Sequence, residues 1–286
     1  MMIWRETLEK TISFLESKAV PDATVAAELL VARLLKVSRG FLSGCLDKET
    51  HPQHIEAMRR AMKRLACAEP LQYVLGEWDF RSLTLKCDRR ALIPRPETEE
   101  LVTRVLKYLH SRSFSSSPFI VDVGTGTGAI ALSLAKEYPL GVYLATDISE
   151  DAIELAKENA KACNLESKVK FAIADGLDDF SDPQIFDVIV SNPPYIETDV
   201  IATLDARVKD FEPHLALDGG PSGLEFYDRY LADAINLLKP GGAVFFEIGE
   251  NQGEAVRSLM FNCGFDDIKI DKDYSGHDRY AYGILS

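Results

Sequence analysis

The sequence predicts an α/β protein: a doubly wound, mostly parallel sheet of seven strands, preceded by a small all-helical domain and a strand pair. Two observations predict it. From Phe119 onward, short β-rich runs alternate with helical patterns of roughly 10–15 residues, as parallel sheets require. Before residue 71 the apolar residues recur with a helical period and no strand signal intervenes. The expected boundaries are residues 1–71 for the helical domain, 72–93 for a β-hairpin linker and 94–286 for the sheet domain.

In chain order, residues 24–37 (TVAAELLVARLLKV) are apolar nearly all round, which suits a helix buried in a small bundle, with Asp22 or Thr24 as its cap. A second helical pattern covers 52–67, basic on one face and carrying Met58, Met62 and Leu65 on the other. YVLGEWDF and LTLKC, with Arg81 and Ser82 between them, read as paired strands. IPRPETEELVTRVLKYL then enters a helix, Pro96 in its first turn and acidic residues behind it, in keeping with the helix dipole. The serine-rich stretch 111–118 is a loop. Strands follow as FIVDVG, VYLATD, VKFAIAD, FDVIVSN and AVFFEIG, with helices beginning near Gly128, Asp151, Gly223 and Gln252; FDDIKIDKD and RYAYGILS complete the sheet. Near-continuous apolar strands fit a sheet covered on both faces.

Composition narrows the function. The net charge of -13 and the lack of a Lys/Arg-rich run argue against a nucleic-acid substrate, because counterion release needs a basic stripe. No stretch approaches the roughly 18 apolar residues of a membrane span. Glu6, Glu9 and Glu16 interrupt the apolar pattern of the N-terminus, so a secretory signal is not read there and a cytoplasmic protein is expected. The five cysteines are scattered without a C-x-x-C, and His51 and His54 lack a third ligand, so no metal is expected.

A ligand loop follows the first strand of the sheet. Gly124, Thr125, Gly126, Thr127 and Gly128 run straight into an apolar helix, and a turn this tight needs positive φ and lets backbone N–H groups approach a ligand. The spacing is G-x-G-x-G, distinct from the dinucleotide fingerprint. Asp147 and Asp175 end the next two strands, and strand carboxyl ends line the ligand crevice of an open α/β sheet. Each acid alone is as readily a helix cap or turn former; together with the loop they favour a nucleoside, Asp147 accepting from ribose hydroxyls.

The fourth strand ends in SNPPYI, the most specific feature of the chain. Two prolines remove backbone donors, leaving the Asn192 side-chain oxygen and the Pro193 carbonyl as acceptors for a planar NH2 group. Pro194 stiffens the turn, and Tyr195 with a second aromatic would sandwich the flat group.

GTGTGAIAL with SNPPYI resembles the class I methyltransferases acting on amide or amino nitrogens. IPRPETEELV, EPLQYVLG, FEPHLALDGGPSGLEFY and EIGENQGEAV resemble the release-factor glutamine methyltransferases in particular, over essentially the whole chain. The resemblance implies the seven-stranded class I methyltransferase sheet and methyl transfer from S-adenosylmethionine to the glutamine of the Gly-Gly-Gln motif in peptide chain release factors. S-adenosylhomocysteine is the implied product, without a metal. Residues 124–128, Asp147, Ile148, Asp175, Gly176 and Asn192 would bind the cofactor. Residues 192–195 would hold the glutamine amide, Asn192, Pro193 and Tyr195 acting in catalysis, with Phe80, Arg95 and Thr98 beside it. Gly176 departs from relatives that place an aromatic there, so the adenine is expected to pack on Leu177 or Ile148. The implied partner is a release factor, with no direct nucleic acid, no membrane and a monomeric enzyme. Alternatives of other classes are an adenine-N6 nucleic-acid methyltransferase, which uses the same Asn-Pro-Pro-Tyr chemistry after base flipping, and a non-catalytic cofactor-binding module.

Overall fold

The computed structural model of the protein describes residues 2–286. The chain forms two compact units: the first runs to Glu77 and takes in Asp205–Phe211, and the second comprises Trp78–Leu204 with Glu212–Ser286.

The first unit is helical. It contains α1 (Trp4–Ser17), α2 (Ala23–Leu35), a 3-10 turn (Arg39–Cys45), α3 (Pro52–Ala66) and the short α4 (Leu71–Leu75). Its core gathers Trp4, Leu8, Leu15, Ala27, Leu30, Val31, Met58 and Leu65, so α2 is buried on more than one face as its composition requires. Asp22 occupies the cap position of α2 but its side chain makes no capping bond, because its own backbone is left-handed (φ 50°). The strand expected over Tyr73–Leu75 is instead α4, closed by Gly76 in the left-handed conformation. Tyr73 and Val74 are β-formers locally, and packing overrides that preference.

A hairpin of β1 (Glu77–Phe80) and β2 (Leu83–Lys86) follows. From Trp78 it belongs to the second unit and is no detached linker. Phe80, Leu83 and Leu85 enter that unit's core together with Leu101, Val102 and Val105 of α5 (Pro96–Ser111). Arg81 fastens the turn, its guanidinium 2.7 Å from Glu137 and donating to the Glu99 carbonyl and Thr103.

The remaining elements are β3 (Phe119–Val123), α6 (Ala129–Glu137), β4 (Val142–Asp147), α7 (Glu150–Ala162), β5 (Val169–Ile173), β6 (Phe186–Ser191), α8 (Thr198–Ile201) and α9 (Ala206–Lys209), the last lying in the segment grouped with the first unit. After a 3-10 turn (His214–Ala216) come α10 (Glu225–Leu237), β7 (Leu238–Glu247), α11 (Gly253–Asn262), β8 (Phe265–Lys272) and β9 (Asp278–Leu285). The seven strands lie in the order β5-β4-β3-β6-β7-β9-β8, with β9 antiparallel to both neighbours and the others parallel. Apolar clusters containing Leu132, Val188 and Phe245, and Val121, Leu231 and Phe246, cover the two faces. Strand order reverses between β3 and β6, and a crevice at the carboxyl ends of the strands forms at such a point.

Candidate active site

At that reversal lies a cavity of about 340 Å³, within the range of small-molecule sites. Gly124, Thr125, Gly126 and Thr127 line one wall, joined by Asp147, Ile148, Asp175 and Gly176 from the ends of β4 and β5. Asn192 and Pro194 follow β6, and Arg95 and Thr98 come from the start of α5.

The glycine wall is held by its own surroundings. Gly124, Gly126 and Gly128 all have positive φ (71°, 55° and 83°), which side chains on Cβ disfavour. Asp122 on β3 accepts from the Thr125 hydroxyl at 2.5 Å and from the Ala131 N–H at 3.1 Å, tying the loop to the first turn of α6. Burial raises its pKa to about 7. Asp147 accepts from Gly126 N–H at 2.9 Å and Ser149 N–H at 3.0 Å, one on each carboxylate oxygen. Burial raises its pKa as well, against the lowering by those N–H groups. Each oxygen retains a lone pair for a further donor. Gly128 stands behind the cavity as the cap residue of α6.

The wall around Asn192 is assembled from distant segments. Asn192 Nδ2 donates to Thr98 Oγ1 at 3.2 Å, and Thr98 donates to Glu247 Oε2 at 2.7 Å. Glu247 closes β7 and is 2% exposed; the pairing of Ser191 with Phe246 sets Asn192 and Glu247 side by side at adjacent strand ends. Behind Asn192, Pro193 is buried, and Tyr195 packs against the apolar cluster that contains Tyr227, Phe246 and Ile248. The Tyr195 carbonyl accepts from Gln252 Nε2 at 3.0 Å, and that group also donates to the Gly223 carbonyl. Gly219 presses on the same backbone, since a Cβ there would stand 2.7 Å from Tyr195 Cα. Glu212 accepts from the Ile93 N–H at 3.0 Å and pairs with Arg95, holding 93–95 at the cavity wall.

Phe80 is 1% exposed in one apolar cluster and Tyr195 packs against the other, so neither is among the residues that line the cavity. The alternating hairpin commits Phe80 to its inner face. Leu177 is likewise buried, at 1%, whereas Ile148 lines the cavity 48% exposed. An added Cβ on Gly176 would lie 2.5 Å from the Arg229 guanidinium and 2.7 Å from Tyr230. Arg229, paired with Asp175, and Tyr230 therefore occupy the space a side chain at 176 would need. Sequence reasoning missed Asp122, Glu212, Arg229, Glu247 and Gln252. EIGENQGEAV contains two of them, but nothing local marks them as partners of Thr98 or Tyr195.

A family model described as the PrmC N-terminal domain matches residues 6–76, and one described as the Methyltransferase small domain matches residues 103–220. The release factor glutamine methyltransferase of Moorella thermoacetica is 39% identical over 279 residues, covering 97% of each chain. That of Agrobacterium fabrum is 40% identical, covering 93% of this chain and 91% of its own. This chain belongs to the release factor glutamine methyltransferase family. The matches to these two relatives span nearly all of this chain, the helical unit included. Among solved structures, a methyltransferase from Pyrococcus furiosus has a TM-score of 0.52 at 21% identity, covering 71% of this chain and 88% of its own. The hMettl16 catalytic domain, in complex with MAT2A 3'UTR hairpin 6, reaches a TM-score of 0.59 at 18% identity over 77% of this chain and 81% of its own. These two share the fold.

Proposed function

We propose that the chain transfers a methyl group from S-adenosylmethionine to the side-chain amide nitrogen of the glutamine in the Gly-Gly-Gln motif of release factors. The observation that carries this reading is Asn192, held on the rim of a nucleoside-sized cavity in a chain of this family. The cavity fits the cofactor. A side chain at Gly124 would meet no protein atom within 4 Å, so the loop backbone faces open space that a ligand can fill. Residues 124–127 would lie along the ligand, Asp147 would accept from the ribose, and Ile148 would pack on the base with Asp175 and Gly176 at its edge. S-adenosylmethionine bound there supplies an electrophilic methyl group.

The chain's residues supply position. An amide nitrogen is a poor nucleophile, its lone pair being delocalised into the carbonyl. Asn192 Oδ1 and the Pro193 carbonyl would each accept one N–H of the glutamine amide, fixing the nitrogen in line and drawing on its hydrogens to make the lone pair more available. Pro194 keeps the turn rigid, and Tyr195 supports it from behind. Arg95 and Thr98 flank the entrance. No general base is required, because the methylated nitrogen loses its proton readily. The enzyme works as a cytoplasmic monomer on a protein partner, without direct nucleic-acid contact.

The test is transfer of labelled methyl from S-adenosylmethionine to purified release factor, DNA and RNA, with peptide mass spectrometry to locate the label. Label confined to the Gly-Gly-Gln glutamine is expected. Label in nucleic acid, or on another residue, would overturn the reading.

A further inference from the structure

Three side chains contributed by three separate elements form one hydrogen-bonded line: Glu247 at the end of β7, Thr98 in the first turn of α5, and Asn192 after β6. The inner two are buried, Thr98 at 5% and Glu247 at 2%, and Asn192 is half-buried at the cavity. A threonine hydroxyl has one proton to give, and an ionised carboxylate only accepts. With Thr98 donating to Glu247, its oxygen is left to accept. The end of the Asn192 amide that faces Thr98 must then be the NH2, and the oxygen is turned the other way.

We propose that Glu247, acting through Thr98, is the positioning residue that fixes which end of the Asn192 amide faces the cavity. The proposal rests on the reading of Asn192 as the acceptor for the substrate amide. It adds a cause for that orientation: an asparagine has oxygen and nitrogen of nearly equal size, and nothing in its own shape selects one end. Without an acceptor-only group at 247, Thr98 can turn its proton toward Asn192. The amide then gains by flipping, and a donor replaces the acceptor that the substrate NH2 needs.

The surroundings of Glu247 set when this happens. Burial raises its pKa to about 7, with Glu97 adding to the rise and Thr98, Arg279 and Arg95 opposing it; the phenols of Tyr195, Tyr227 and Tyr280 also face it. Glu247 is thus acceptor-only above neutral pH and gains a proton to donate as pH falls through that value.

Side-chain amide resonances read the relay without any substrate. In 15N-labelled full-length protein the Asn192 NH2 pair, identified by its loss in Asn192→Ala, should shift with a midpoint near 7. The shift should vanish in Glu247→Gln. Thr98→Val should displace the pair, and Thr98→Ser should restore it. With release factor as substrate, Thr98→Val should lower kcat on the order of tenfold with cofactor affinity unchanged, Thr98→Ser recovering most of it. In an Asn192→Ala background Thr98→Val should lower kcat no further, because it acts only through that amide. An Asn192 resonance indifferent to pH and to both substitutions would overturn the relay, as would additive losses in the double variant. Absence of any methyl transfer by the wild type would instead overturn the substrate reading, and the resonances would still judge the relay.

Discussion

The two walls of the cavity are built in opposite ways. The glycine wall is made of backbone, and its supports are near in sequence: Gly126 reaches Asp147 across 21 residues, and Thr125 reaches Asp122 across three. The Asn192 wall is made of side chains whose partners are remote, 94 residues to Thr98 and a further 149 to Glu247. A backbone cradle can be specified by one strand–turn–helix unit and the strand that follows it. An oriented amide needs a full sheet and a helix laid across it before its partners exist. Damage to the first wall should therefore appear in cofactor binding, and damage to the second in turnover.

The sharpest break of this comparison is Asn192→Ala. Methyl transfer should fall about 10²–10³-fold, the cost of losing one oriented polar group in an active site, while calorimetry finds S-adenosylmethionine affinity little changed. Near wild-type turnover would remove the role given to Asn192. Asp147→Ala should do the reverse, weakening cofactor affinity about tenfold or more while turnover recovers at saturating cofactor, since hydrogen bonds to a charged group are worth about 1.5–3 kcal/mol. Unchanged affinity would show that Asp147 serves only the loop.

A milder effect is expected from Gly219→Ala. Its Cβ would meet Tyr195 Cα at 2.7 Å and the Pro194 carbonyl at 2.8 Å, so the backbone behind Asn192 must shift. Overpacking of this kind costs about 1–3 kcal/mol of stability, and kcat should drop about tenfold with cofactor affinity intact. Loss of affinity in that variant would show that the two walls are not separable.

The smallest effect concerns stability alone. Native Asp122 holds its proton up to about pH 7, whereas the unfolded chain releases it in the ordinary carboxylate range. Its contribution to stability is complete below that range and is lost as pH rises through about 7. Glu247 acts with the same sign. Asp122→Asn can keep one oxygen for Thr125 and Ala131 while removing the charge, so its Tm should decline less than that of the wild type between pH 5 and about 8. Parallel curves would place the pH sensitivity elsewhere.

The sequence determined the seven strands, the long helices between them and the placement of a glycine loop, Asp147, Asp175 and Asn192 on one rim, but not the short helices between residues 198 and 216. The former are consequences of period, turn chemistry and strand ends, all encoded within short windows. The hairpin at 77–86 was also legible, but its attachment was not: alternation says that Phe80 faces inward, and only packing says that inward means the core of the second unit. The same holds for Tyr73–Leu75, whose β-forming residues became helix under tertiary contacts. What closes over Gly176 is an arginine and a tyrosine from α10, invisible to any local window. Nor could the sequence pair Thr98 with Glu247, or Gln252 with Tyr195. Such partners meet only where a parallel sheet brings distant strand ends together, and the hydrogen bonds of a buried polar group are settled by that meeting alone.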